Sequence, residues 1–337
     1  MKIAIIGAGA IGGQVGAKLA LAGEDVTFVV RGANFEAISR NGVKLISQGG
    51  IEQVASNVRS SDKYDAIGVQ DVAILAMKAH QIEGVVKDLP KLLGPEAMVV
   101  TMQNGIPFWY FEKIGGPLEG TRVSSVDPTG SLLADIPAKH IAGCVVYPAS
   151  ELIAPGVIQH IEGDRFPLGE LDGTISPRVT RGSECFAKAG FKAPILNNIR
   201  SEIWLKLWGN MTFNPISALS HANLVDVCQF PLSRALVANM MSEAQAVGEK
   251  LGITFLLSLD KRIAGAEKMG KHKISMFQGI EAGRAPEIDA LLGSVVELAR
   301  LCRRRISILC TRWPNYLRTA WSKNVARCAC GRLTETM

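Results

Sequence analysis

A chain of 337 residues at 47% hydrophobic composition can bury the cores of two domains of ordinary size, and no apolar run reaches the length of a membrane span. Its net charge of +6 is local: from Arg300 onward nine Lys and Arg face one acid, Glu335, while the rest carries 28 basic and 30 acidic side chains, so no nucleic-acid partner is expected. The first residues read as a strand rather than as a charged leader with a cleavage site, so no signal peptide is expected and the cytoplasm is the default location.

Residues 2–6 (KIAII) and 26–30 (VTFVV) are short apolar runs, and the amphipathic stretch Ile11 to Ala22 lies between them. Strand, helix and strand within about 30 residues is the pattern of a βαβ unit in a parallel sheet. Further strands are predicted at 71–76, 97–101 and 122–126, and 141–146 and 156–161 read as extended. The first part, residues 1–197, is therefore predicted as a doubly wound α/β domain of the Rossmann type, with a mostly parallel sheet. From about Asn198 helical patterns take over, at Ser201–Leu219, Ser233–Leu251 and Pro286 to roughly Arg300. Residues 198–337 are predicted as an all-α second domain.

Between the first strand and the first helix lies Gly7-Ala8-Gly9-Ala10-Ile11-Gly12, a G-x-G-x-x-G turn. Gly7 permits a tight turn, Gly9 leaves backbone open to a pyrophosphate, and Gly12 lets the helix approach the strand. The helix N-terminus then offers unpaired N–H groups to phosphate oxygens. A dinucleotide is the expected ligand, a purely structural glycine turn the alternative. The second strand ends in Arg31, where NAD-preferring sites place an acid. A guanidinium pairs with a 2′-phosphate, which favours NADPH over NADH; alternatively, Arg31 only solvates a strand end.

Lys78 in ILAMKAHQ and Asn104 in VVTMQNGIP each stand just past a buried strand, where open α/β sheets bind ligands. Either could instead close a turn, since Asn-Gly is a common turn pair. In IWLKLWGNMTFNPISAL, Lys206, Asn210 and Asn214 are spaced by four, so all three fall along one side of a helix, among the apolar neighbours Ile203, Leu205, Leu207, Met211 and Phe213. Polar groups in such a setting need partners. The alternative is a solvated polar face. Glu287, just after Pro286, is explained by the preference for acids in a first helical turn. Ser275 is open between a site residue and an ordinary turn residue.

Together, GAGAIG, MKAHQ, QNG, the Lys206/Asn210/Asn214 helix with its NP, and SMFQGIEAGRAPEID resemble the ketopantoate reductase (2-dehydropantoate 2-reductase) family, in the family's order over residues 1 to about 300. The resemblance implies a Rossmann domain and a helical domain that enclose NADPH and a small-molecule 2-oxo acid, and a homodimer is open. It implies that Gly7, Ala8, Gly9, Ala10, Ile11, Gly12, Arg31 and Lys78 hold the cofactor and that Asn104 touches cofactor and substrate. Lys206 would be the proton donor. Asn210, Asn214 and Ser275 would bind the substrate, Asn223 likewise if a one-residue gap is allowed. Glu287 would serve the cofactor and the catalytic lysine. Reduction of ketopantoate to pantoate, in pantothenate biosynthesis, is the implied activity. The alternatives are reduction of another 2-oxo acid, a related dehydrogenase acting on opines or sugar acids, and a non-catalytic NADPH sensor.

Two stretches depart from the family pattern. Where it often reads N-G-x-G, this chain has Asn104-Gly105-Ile106-Pro107 and then FWYF, so Pro107 stiffens the loop and Phe108–Phe111 are expected to reshape the pocket. The tail from Cys302, rich in Arg and Cys, lacks the family's Gly-Val turn and closing helix. It reads either as the product of a shifted reading frame or as an arginine-rich appendage for a partner. Cys328-Ala-Cys330 has no second pair at zinc spacing, so no metal is expected.

Overall fold

The computed structural model describes residues 1–271, 273–281, 283–304 and 306. Nearly all of the atypical tail, including Cys328 and Cys330, lies outside the described residues. The chain divides into two compact units, one of residues 1–122 and 127–202, the other of 123–126 and 203 onward. The boundary falls inside a helix rather than in a linker.

In chain order the first unit contains β1 (Lys2–Ile6), α1 (Ala10–Leu21), β2 (Asp25–Val29), α2 (Gly32–Asn41), β3 (Val43–Ile46), β4 (Glu52–Ala55), β5 (Arg59–Ser61), β6 (Gln70–Leu75) and β7 (Leu93–Thr101). It continues with α3 (Ser131–Asp135), β8 (Ile141–Cys144), β9 (Ala149–Ala154), β10 (Val157–Glu162), β11 (Leu168–Glu170) and α4 (Pro177–Lys188). Seven strands form one sheet in the order β11-β8-β7-β6-β1-β2-β5, parallel throughout except for the β11–β8 pair. The unbroken apolar runs of β1 and β6 suit central strands covered on both faces. Ile5, Phe28, Ile74 and Val100 carry the core, with Phe166, Phe186 and Phe191 packed edge-on beside it.

A second sheet, β4-β3-β10-β9, packs on α1. The sequence pattern disclosed only β10 of it, as the extended run 156–161. β3 and β4 have four residues each, and in the four strands only Val43, Leu45, Ala55 and Ile158 are buried, so the apolar pattern is short and weak. The contact is close because Gly13 faces Ile158: a Cβ at Gly13 would stand 2.5 Å from that side chain. Ser176 opens α4 with its hydroxyl accepting from Val179 N–H at 3.2 Å, and Pro177 fills the first helical position.

The second unit is helical: α5 (Ile199–Ser220, its first turn counted with the first unit), α6 (Leu224–Gln229), α7 (Pro231–Lys250), α8 (Leu259–Glu267), α9 (Ser275–Glu281), and α10 (Ser294–Leu301). Trp204 and Trp208 are buried against Phe255, and Trp208 Nε1 donates to Met241 O at 2.7 Å. Among the described residues no helix is long and apolar enough to cross a membrane.

Two expectations are corrected here. Residues 122–126 form a turn, not a strand, because Glu297 of α10 takes their amides: its carboxylate accepts from Ser124 N–H and Ser125 N–H at 2.8 Å each and from Ser125 Oγ–H at 2.6 Å. Pro286 does not open the last helix either. A π-helical turn, Asp289–Gly293, precedes α10, and Glu287 stands before it with its carbonyl accepting from Leu291 N–H at 3.3 Å. Such wide turns recur at functional sites.

Candidate active site

In the first unit the strand registers place four predicted positions along one edge. Ile6 is level with Val29 and with Leu75, and Leu75 is level with Thr101. The glycine turn follows β1, Arg31 follows β2, Lys78 follows β6 and Asn104 follows β7, all at the carboxyl ends of parallel strands. This is the edge at which doubly wound sheets bind ligands.

The glycine turn fits a dinucleotide. Gly7 has φ +98°, a conformation open to glycine, and continues the sheet by donating to Val29 O at 3.1 Å. A Cβ on Gly9 would meet nothing within 4 Å, so the space beside that backbone is open. The first bond along α1 is Gly13 N–H to Gly9 O, which leaves the amides of Ala10, Ile11 and Gly12 without helical acceptors, and no acid stands in the first turn. Open space, free donors and a positive helix end are what a pyrophosphate requires.

Three side chains that the sequence reading did not single out hold this edge in shape. Asn34, at the start of α2, donates from Nδ2 to Ala8 O at 3.2 Å and accepts from Gly156 N–H at 3.1 Å, which ties α2 to the glycine turn. Gln103 donates from Nε2 to Leu75 O at 2.7 Å and to Met77 O at 3.0 Å, bridging the segments that carry Asn104 and Lys78. Arg200 is 8% exposed and lies under the loop after Asn104. Its Nε donates to Tyr110 O at 2.7 Å, its Nη1 to Leu171 O at 2.6 Å, and its Nη2 to Glu112 O. Burial pulls its pKa below the usual arginine value, yet a guanidinium stays charged, so carbonyl dipoles carry its compensation. A polar residue ahead of an Asn-Gly pair, and an Arg opening an apolar helix, were the available signals.

Phe108, Trp109, Tyr110 and Phe111 are each at most 3% exposed, and Trp109 Nε1 donates to Thr101 Oγ1 at 2.9 Å. They fill the first unit's interior and fix the loop from beneath. Gly105, at φ +89°, provides the reversal ahead of them. Lys78 N–H donates to Gln81 Oε1 at 3.0 Å, opening a short 3₁₀ segment. A separate cavity of about 430 Å³ lies at the opposite, amino-terminal edge, among Gln70, Asp71, Met98 and Arg178. None of the predicted residues lines it.

In the second unit, α5 carries Lys206, Asn210 and Asn214 along one side; the buried Trp204, Trp208 and Met211 lie roughly 140–160° from Lys206 but only about 60–120° from Asn214, toward which the stripe turns. Lys206 and Asn210 are half-buried, and Asn214 is 5% exposed. Thr212 Oγ1 donates back to Trp208 O and Gly209 O at 3.1 and 3.0 Å, and Pro215 removes one amide, so the helix is loosened beside Asn214. Asn223 is the N-cap of α6, its amide engaged with Asp226 at 3.3 Å. Ser275 opens α9, and the ring of His221 meets Phe277 of that helix edge-on at 5.1 Å, which brings the 221–223 turn against α9.

Residues 3–173 match the family described as ketopantoate reductase PanE/ApbA, and residues 198–310 match its C-terminal domain. The chain belongs to the ketopantoate reductase family. Within that family it is 52% identical to a 2-dehydropantoate 2-reductase of Mesorhizobium japonicum, over 89% of this chain and 92% of the relative. A candidate ketopantoate reductase from Ralstonia solanacearum MolK2 has the same fold, with a TM-score of 0.91 at 37% identity, covering 96% of this chain and 98% of the other. A D-mandelate dehydrogenase solved with NADH and anilino(oxo)acetate shares the fold alone, with a TM-score of 0.81 at 21% identity over 96% and 99% of the two chains. The ketopantoate reductase family depends on a nicotinamide cofactor, and its members are oxidoreductases acting on CH–OH groups.

Proposed function

We propose that this chain reduces 2-dehydropantoate to pantoate with NADPH. The single observation that carries the reading is its likeness to the Mesorhizobium reductase along nearly the whole of both chains. The open space at Gly9 and the free amides at the start of α1 support cofactor binding by Gly7–Gly12, with Lys78 and Asn104 on the same sheet edge. Arg31 is the group assigned to the 2′-phosphate, because a carboxylate at that strand end would repel it.

A reduced nicotinamide bound at this edge would supply the hydride for the C2 ketone. The chain's own part is to manage charge and position. As negative charge gathers on the ketone oxygen, the Lys206 ammonium stabilises it and delivers a proton from Nζ. Asn210, Asn214, Asn223 and Ser275 offer neutral donors that orient the acid without an over-tight ion pair, and Asn104 holds the reacting carbon in line. Glu287 is assigned to the cofactor and to the setting of Lys206.

The test is NADPH oxidation, followed by absorbance, against a panel of 2-oxo acids. 2-Dehydropantoate is expected to give the highest kcat/KM. A tenfold preference for another 2-oxo acid would move the substrate and leave the reaction class. No acid-dependent oxidation at all would leave a cofactor-binding protein without turnover.

A further inference from the structure

The edge of the large sheet beyond Arg31 holds a second unpaired cation. Strand β5 runs parallel to β2, with Val29 level with Ser61, and Val30 N–H donates to Ser61 O at 2.9 Å. The chain therefore leaves β2 as Arg31 and β5 as Asp62-Lys63 at the same carboxyl edge, side by side. The turn after β5 is fixed: Ser61 Oγ donates to Lys63 O at 2.8 Å and accepts from Lys63 N–H at 3.1 Å. Lys63 thus has a set backbone position while its ammonium stays in water.

The surroundings fit an anion better than a structural ion pair. Arg31 and Lys63 are both exposed, and among the described residues neither side chain makes a hydrogen bond or salt bridge. Beneath them Tyr64 is buried, and the nearby Arg31 charge acts against the burial that pushes its phenol up to about 12. Asn34 pins the start of α2 to Ala8 of the glycine turn, so this cationic corner has a fixed relation to the proposed pyrophosphate position. Asp62, in the same turn, is the acid that a ribose hydroxyl would prefer, and without Lys63 it would weaken the attraction of Arg31 for a phosphate.

We propose that Lys63 is a specificity residue that works with Arg31 on the adenosine 2′-phosphate and offsets Asp62, so that the chain selects NADPH over NADH. The inference rests on the NADPH reading given above. A phosphomonoester between two cations gains from each, and the gain is screened by salt because both groups face water.

The experiment measures dissociation constants of NADPH and NADH by cofactor fluorescence, and inhibition by adenosine 2′,5′-bisphosphate and by AMP, for the wild type, Lys63→Ala, Lys63→Glu and Arg31→Ala. Lys63 is exposed, so these proteins should fold, which circular dichroism checks. Lys63→Ala is expected to weaken NADPH and the bisphosphate about 3- to 10-fold. Lys63→Glu should weaken them further, with NADH and AMP unchanged in both. If Arg31→Ala lowers the NADPH preference and neither Lys63 variant does, Arg31 acts alone and this proposal falls while the NADPH reading stands. If the wild type prefers NADH and Arg31→Ala changes nothing, the NADPH reading falls and the role of Lys63 with it.

Discussion

Gly12 rests on the carbonyl of Gly7. A Cβ at position 12 would stand 2.0 Å from Gly7 O and 2.9 Å from the Ala76 side chain, whereas a Cβ at Gly9 would meet nothing within 4 Å. Two glycines of one turn therefore have different reasons to be glycine. Gly12→Ala is expected to destabilise the protein by about 1–3 kcal/mol, since backbone must move. Gly9 has φ −71°, which alanine adopts, so Gly9→Ala should cost at most about 1 kcal/mol in stability while filling the space assigned to the pyrophosphate. Urea melts and cofactor titration separate the two. Equal cofactor affinity in Gly9→Ala and wild type would show that the phosphates do not approach there.

Arg200 ties three carbonyls to one buried charge. Truncation strands a set of acceptors, and Arg200→Lys can restore at most part of the fork. Arg200→Ala should lower stability by about 3 kcal/mol, with Arg200→Lys in between. The same loop begins at Asn104, so a partly folded Arg200→Lys protein should show a raised KM before a lowered kcat. A variant with wild-type thermal stability would mean that the carbonyls find water at no cost.

Legibility in the sequence followed local period. β1, α1, β2 and β6 announced themselves because central strands and their crossover helix are apolar in unbroken or periodic runs. Of the β4-β3-β10-β9 sheet only β10 did, as the run 156–161; β3 and β4 are four residues each, and β9 has no buried residue to mark a face. The run RVSSV read as a strand, and only the long-range Glu297 bonds turn it into a loop. At the site, Gly7–Gly12, Lys78 and Asn104 were legible as residues placed after strands. Asn34, Gln103 and Arg200 were not, since their roles lie in bonds to backbone atoms far along the chain.

Lys206 carries the chemistry assigned to α5, and its removal should separate chemistry from binding. Lys206→Ala is expected to lower turnover about 10²–10⁴-fold, the range for loss of a general acid, with NADPH affinity nearly intact. Asn210→Ala, at a half-buried position, should raise KM more than it lowers kcat. Asn214 is buried, so Asn214→Ala must be judged by kinetics together with a melt. Steady-state rates and cofactor titration on the same preparations provide the check. Near-normal turnover of Lys206→Ala would take that lysine out of the mechanism.

Cys185 gives the protein an alkaline limit. Burial first, and then the negative charge of Glu24, push its thiol from 9.0 to about 12, and burial pushes Cys228 to about 11. A raised pKa means that the folded chain keeps a proton which the unfolded chain releases. The stability due to the neutral thiol is whole below pH 9.0 and is lost as pH rises through about 12. Urea midpoints should therefore fall as pH is raised from about 8 to about 11, and fall less steeply in Cys185→Ala, whatever that variant loses in absolute stability. The double variant Cys185→Ala/Cys228→Ala should be flatter still. Parallel curves for wild type and both variants would show that these thiols titrate alike in the folded and unfolded chains, and that the alkaline loss has another source.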